Sequence, residues 1–109
     1  MKQGDIWLCD MEPIAGHEQG GKCPVLIISS DAFNQRTGLP VVFPITQGGG
    51  FARRRGFAYE LPAGGRITGV IRCDQPRTLD LEARGAICIE RIDEPTLGEV
   101  LERYYAIVE

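Results

Sequence analysis

The chain has 109 residues, a net charge of −3, and 43% hydrophobic against 25% charged residues, a balance typical of a globular protein. The length predicts one domain over residues 1–109, large enough to bury a core without staples. The acidic balance argues against non-specific nucleic-acid coating, which leaves a basic footprint. No stretch reaches the ~18–20 apolar residues of a membrane helix, and the opening MKQGDIWLCD has no export-type segment.

In chain order, residues 4–11 (GDIWLCDM) alternate as a strand, with Ile6, Leu8 and Asp10 on one face and Trp7 and Cys9 on the other. Residues 13–23 (PIAGHEQGGKC) combine proline, glycines and polar residues, which predicts a long loop of the kind that carries function. Residues 24–30 (PVLIISS) are an apolar run of strand length. Asp31 can cap a helical turn that Gly38 ends. Residues 39–46 (LPVVFPIT) predict a strand, and Pro40 and Pro44 place it near an edge or a bulge. Residues 47–56 (QGGGFARRRG) predict a basic, glycine-rich loop.

Residues 57–61 alternate as a strand, 62–65 turn, 67–73 form another strand, 79–85 connect, and 86–92 (AICIERI) form the last strand. Pro95 suits a helical first turn, and Thr96 with Glu99 has the spacing of a capping box. Leu97, Val100, Leu101, Tyr104, Ile107 and Val108 then fall on one helical stripe, expected to pack on the core. Five to seven short strands and one long helix predict an α+β fold: a small, strongly curved, mainly antiparallel sheet or barrel with a C-terminal helix.

Cys9, Cys23, Cys73 and Cys88 are widely spaced with no C-x-x-C pair, so they are expected as reduced thiols. Neither they nor His17 have zinc-site spacing, and no metal or cofactor is expected. The polar chemistry gathers in three places. His17, Glu18 and Gln19 lie in the first loop. Thr46 and Gln47 precede Arg53, Arg54 and Arg55 in the second. Arg72 and Asp74 end the strand at residues 67–73. Residues two apart on a strand share a face, so Arg72 and Asp74 project together and Cys73 points away. Taken singly, these are a surface salt bridge, an exposed imidazole and a solvated basic loop.

Together they contain what RNA cleavage requires. A carboxylate or imidazole can take the 2′-hydroxyl proton. An arginine fork suits the phosphate and its developing charge. Phe57 or Tyr59 could stack an unpaired base. The same residues also suit other anionic ligands.

The motifs carry a resemblance. GDIWL at 4–8, GHEQGGKCPVLI at 16–27, AFNQRTGLPVV at 32–42, PITQGGGFAR at 44–53, RGF at 55–57, TGVIRCDQPRTLDLEARG at 68–85 and ERI at 90–92 are collinear with the MazF/PemK toxins. The chain resembles the PemK (Kid) branch most closely. The resemblance implies a homodimer acting in the bacterial cytoplasm as the toxin of a type II toxin-antitoxin system. It implies metal-independent cleavage of single-stranded RNA, leaving 2′,3′-cyclic phosphate and 5′-hydroxyl ends. A cognate antitoxin would neutralise it.

The resemblance further assigns Asp74 as base, Arg72 as the catalytic arginine and His17 as the loop histidine. It places Glu18, Gln19, Thr46, Gln47, Phe57 and Thr68 along the RNA, and the cations Lys22, Arg53, Arg54 and Arg55 are expected to join them by their charge. A guanidinium surrenders its proton reluctantly, so Arg72 is expected to stabilise the phosphorane and protonated His17 to serve as acid. One departure stands out. Cys23 occupies a position where the family carries arginine, and Lys22 beside it is a point charge on a flexible stem. Two alternatives follow: a weakened toxin that keeps antitoxin and RNA binding, or a gyrase-binding toxin of the CcdB kind. The latter depends on a tryptophan-bearing tail, whereas Trp7 lies in the first strand.

Overall fold

The computed structural model describes residues 1–10, 22–47 and 55–109. Among these, seven strands and two helices follow in the order β1 (Asp5–Asp10), β2 (Lys22–Ile27), α1 (Asp31–Thr37), β3 (Val41–Thr46), β4 (Ala58–Glu60), β5 (Val70–Arg72), β6 (Arg77–Thr78), β7 (Ile87–Arg91) and α2 (Glu94–Val108). The strands form one antiparallel sheet in the order β4-β5-β3-β2-β1-β7, and β6 pairs separately with β3. This is the expected α+β architecture.

Strand alternation sorts the apolar residues into two layers. Ile6, Leu26, Ile28, Phe43, Ile45, Ile71 and Cys73 meet Val100 of α2 on one face. Cys9, Val25, Ile27, Val42, Leu79 and Leu81 form a second cluster on the other. The expected opposition of Ile6 to Trp7 and Cys9 holds, since Trp7 packs on the second cluster. Tyr104 of α2 meets Phe43 edge-on, with ring centroids 5.3 Å apart. Arg103 lies over the Tyr59 ring at 5.1 Å.

Several boundaries differ from the sequence expectation. β2 starts at Lys22 rather than Pro24, so Cys23 is a strand residue opposite Cys9 and not part of a loop. The strand expected over 67–73 shortens to Val70–Arg72, and that over 57–61 to Ala58–Glu60. Ser30, not Asp31, caps α1 by accepting from the Phe33 backbone N–H, and Gly38 closes it with a φ of 69°. Asp93 caps α2, because its carboxylate accepts the Thr96 N–H at 2.9 Å. Thr96 is therefore inside the first turn, and the expected Thr96–Glu99 capping box is absent. The stripe on α2 is core packing only at its start: Leu101 and Tyr104 pack on the cluster, whereas Ile107 is 41% and Val108 57% exposed.

Candidate functional site

Three short elements, β3, β4 and β5, build the site. Ile45 opposes Ile71 on the helix-covered face. Their neighbours Thr46, Val70 and Arg72 consequently leave the sheet on the other face, the one that also carries Val42, Val25 and Cys23. Val70 and Ala58 are buried beneath this surface. Chain direction changes just after Arg72, where Gln75 N–H closes a turn onto the Arg72 carbonyl at 3.1 Å.

At this turn Arg72 and Asp74 form a parallel two-bond pair. Nε donates to Oδ1 at 2.9 Å and Nη2 to Oδ2 at 2.8 Å. The side chains are 16% and 25% exposed, so the pair is neither a free surface bridge nor sealed in the core. The Arg72 hydrogen bonds hold the Asp74 carboxyl below its ordinary pKa, and the same contact raises that of Arg72. Cys73 points the other way, as the alternation requires, and burial pushes its thiol up to about 11. The expectation that a cation and a carboxylate stand together at a strand end is met.

A second polar group adjoins the first. Gln47 Nε2 donates to the Thr68 carbonyl at 3.0 Å, bringing the end of β3 against the segment that enters β5. Gly69 makes this approach possible. Its φ is +124°, and a Cβ there would lie 2.6 Å from the Thr46 carbonyl oxygen. Thr46, Gln47 and Thr68 thus converge beside Val70. The Thr46 hydroxyl is buried and has no hydrogen-bond partner among the described residues. Phe57, 37% exposed, is tied in by its carbonyl, which accepts the Cys73 N–H at 3.1 Å. Arg55 is exposed just before the turn at Gly56.

Lys22 is exposed opposite Asp10. Alternation along β2 sends it to the opposite face from Cys23, so it does not stand in for a cation at position 23. His17, Glu18, Gln19, Arg53 and Arg54 lie outside the described residues.

Arg77 is a residue that sequence reasoning passed over. It stands opposite Val42 on β6 and so projects on the Arg72 face. Its charge, with that of Arg84, acts on Cys9, opposing the upward push of burial on that thiol. Arg84 also donates from Nη1 to the Asp10 carbonyl at 2.8 Å. Two guanidinium groups therefore act on Cys9. The signal lay within the quoted QPRT motif, but a two-residue strand has no periodicity to reveal its facing.

Comparison with known proteins agrees with this fold. A family model described as PemK-like, MazF-like toxin of type II toxin-antitoxin system matches residues 2–108. The chain is 54% identical over 109 residues to Endoribonuclease PemK of Escherichia coli, covering 99% of this chain and 82% of that protein. It is 44% identical over 110 residues to Endoribonuclease toxin ChpB of Escherichia coli K12, covering 99% and 94%. Among solved structures, MazF in a MazE-MazF crystal structure from Deinococcus radiodurans superposes with a TM-score of 0.83 at 32% identity, covering 99% of this chain and 95% of that one. By sequence over almost its whole length and by fold, this chain belongs to the PemK-like, MazF-like toxins of type II toxin-antitoxin systems.

Proposed function

We propose that this toxin is a sequence-specific, metal-independent endoribonuclease that cleaves single-stranded RNA, messenger RNA included, and so inhibits translation and growth. The Arg72–Asp74 pair at the open strand end carries the reading, and the names of the relatives PemK and ChpB support it. The reaction is an in-line transesterification. The 2′-oxygen attacks phosphorus, the 5′-oxygen leaves, and the products are a 2′,3′-cyclic phosphate and a 5′-hydroxyl.

The geometry supports a specific order of events. At rest both Asp74 oxygens accept from Arg72, which leaves the carboxylate a weak base. A phosphodiester offers the same two-oxygen edge as a carboxylate and competes for the fork. When Arg72 turns to the phosphate, Asp74 regains basicity beside the 2′-hydroxyl and takes its proton. Arg72 stays protonated and stabilises the phosphorane. His17 in its cationic form donates to the 5′-oxygen. Thr46, Gln47, Thr68 and Phe57, with Glu18, Gln19, Arg53, Arg54 and Arg55, hold the strand, and Phe57 stacks a base; Lys22, expected to join them, projects on the opposite face of the sheet and does not. Arg77 adds a second guanidinium on the Arg72 face.

The protein acts as a homodimer in the bacterial cytoplasm and is neutralised by a cognate antitoxin, as the MazE-MazF complex of Deinococcus radiodurans suggests by analogy. Among the described residues no helix is long and apolar enough to cross a membrane.

The test is incubation of the purified protein with a defined single-stranded RNA in EDTA. Discrete products with cyclic phosphate ends are expected. Intact RNA, together with tight binding of a cognate antitoxin, would instead support the reading as a weakened toxin, which the Cys23 position favours. For the acid, His17→Ala is expected to lose the limb of the pH–rate profile that reports the protonated imidazole; an unchanged limb excludes His17.

A further inference from the structure

Two of the four cysteines face each other across the sheet. Cys9 on β1 and Cys23 on β2 are register partners, and their side chains leave on the same face. Both thiols are free. One pair along, Leu8 opposes Pro24. Proline has no N–H, so that pair cannot exchange both ladder hydrogen bonds. Pair types alternate, which makes Cys9–Cys23 the hydrogen-bonded kind, with Cα atoms about 5.5 Å apart.

Disulfides span Cα separations of about 4.4–6.8 Å, and the strands already satisfy this. Opposed Cβ atoms lie about 4.5–5.5 Å apart, whereas a disulfide needs about 3.5–4.5 Å. Closure therefore draws the strands together, and such strained bonds are readily reduced.

The two thiols differ in access. Cys9 is fully buried, whereas Cys23 is half-buried and meets solvent oxidants first. Burial raises the Cys9 pKa, and the charges of Arg84 and Arg77 offset this only in part. The other cysteines are poorly placed to compete. Cys73 is buried in the opposite layer, and Cys88 opposes Trp7 on β7.

We propose that Cys9 and Cys23 are a disulfide-forming pair that closes reversibly when the chain meets hydrogen peroxide. The Cys23 thiolate attacks the O–O bond and takes one oxygen as sulfenic acid, while the other leaves as water after gaining a proton. The Cys9 thiolate then attacks the Cys23 sulfur. The S–O bond breaks, and the departing hydroxide takes a proton and leaves as a second water. Two thiols and one peroxide thus become one disulfide and two waters. A dithiol reductant reverses this by two thiol–disulfide exchanges. The bond links the strands on either side of residues 11–21, and a transient bridge of this kind is the form expected in a reducing compartment.

The experiment uses the reduced full-length protein, a small molar excess of hydrogen peroxide, and alkylation of remaining thiols under acidic denaturing conditions. Trypsin cleaves after Lys2, Lys22, Arg36, Arg72, Arg77, Arg84 and Arg91, which puts each cysteine on its own peptide. Peptide 3–22 joined to peptide 23–36 is expected, two hydrogens lighter than the sum, with Cys73 and Cys88 alkylated. Dithiothreitol should restore the separate peptides. Cys23→Ser, at the less buried of the two positions, should abolish the link, and Cys88→Ser should leave its yield unchanged. Linkage through Cys88, or Cys23 converted to sulfinic acid while Cys9 remains alkylatable, overturns the proposal. The readout is the bond itself and is independent of RNA cleavage.

Discussion

Arg72 and Asp74 hold one another by two parallel hydrogen bonds, and each limits what the other can do at rest. Removing the arginine should release the carboxylate. In Arg72→Ala, the Asp74 pKa is expected to rise toward the ordinary aspartate value, read by carboxyl NMR titration; an unmoved value would show that another group holds it down. The same variant should lose about 10²–10³-fold in cleavage rate, the size expected for loss of a charged transition-state contact. Position 23 predicts the opposite sign. Cys23→Arg adds a guanidinium on the Arg72 face and should raise the single-turnover cleavage rate. No gain would show that Arg77 already supplies the needed charge. Arg77→Ala in the native background then separates the cases, since its rate should fall if Arg77 compensates.

At the scale of elements, the site depends on how closely β3 meets the entry to β5. Gly69 permits that approach, because a side chain there would collide with the Thr46 carbonyl and would also need a φ of +124°. Gly69→Ala should therefore destabilise the fold by about 1–3 kcal/mol in urea unfolding. It should also reduce RNA binding by parting Gln47 from Thr68. An unaltered midpoint and affinity would mean that the β3–β5 junction yields without consequence. Legibility in the sequence varied among these elements. Alternation placed Arg72 and Asp74 correctly and buried Cys73 behind them. It did not locate the start of β2, because Lys22, Cys23 and Pro24 have loop-like composition and owe their strand to pairing with β1. Asp93 caps α2 in place of the expected Thr96, because only the chain path decides which side chain reaches the Thr96 N–H.

At the scale of the molecule, titration should frame stability from both sides. Asp74 and Asp93 have folded pKa values below the usual 3.8, Asp74 through Arg72 and Asp93 through Thr96. Their stabilising contribution is complete above that value and drains away as pH falls through the folded values. Cys73 works in the other direction. Its folded value near 11 against an ordinary 9.0 favours the fold below about pH 9, a contribution lost as pH rises from 9 to 11. The melting temperature should therefore fall at both extremes. Cys73→Ala should flatten the alkaline side, and Asp74→Asn the acid side. A melting curve for either variant that parallels the native pH dependence would remove that group from the account. The apolar end of α2, with Tyr105, Ile107 and Val108 exposed, also bears on assembly. If it contributes to the proposed homodimer, paired Ile107→Lys and Val108→Lys changes should shift the sedimentation profile toward monomer.

The α+β class, the strand–helix order, the family and the Arg72–Asp74 pairing are legible in the residues alone. Each rests on local information: side-chain periodicity of two or 3.6, or a contiguous motif. That Cys23 faces Cys9 and that Arg77 shares the Arg72 face is settled by the folded chain. These facts follow from the register between strands distant in sequence. A shift of a single residue reverses every facing, so no reading of one strand alone can supply them.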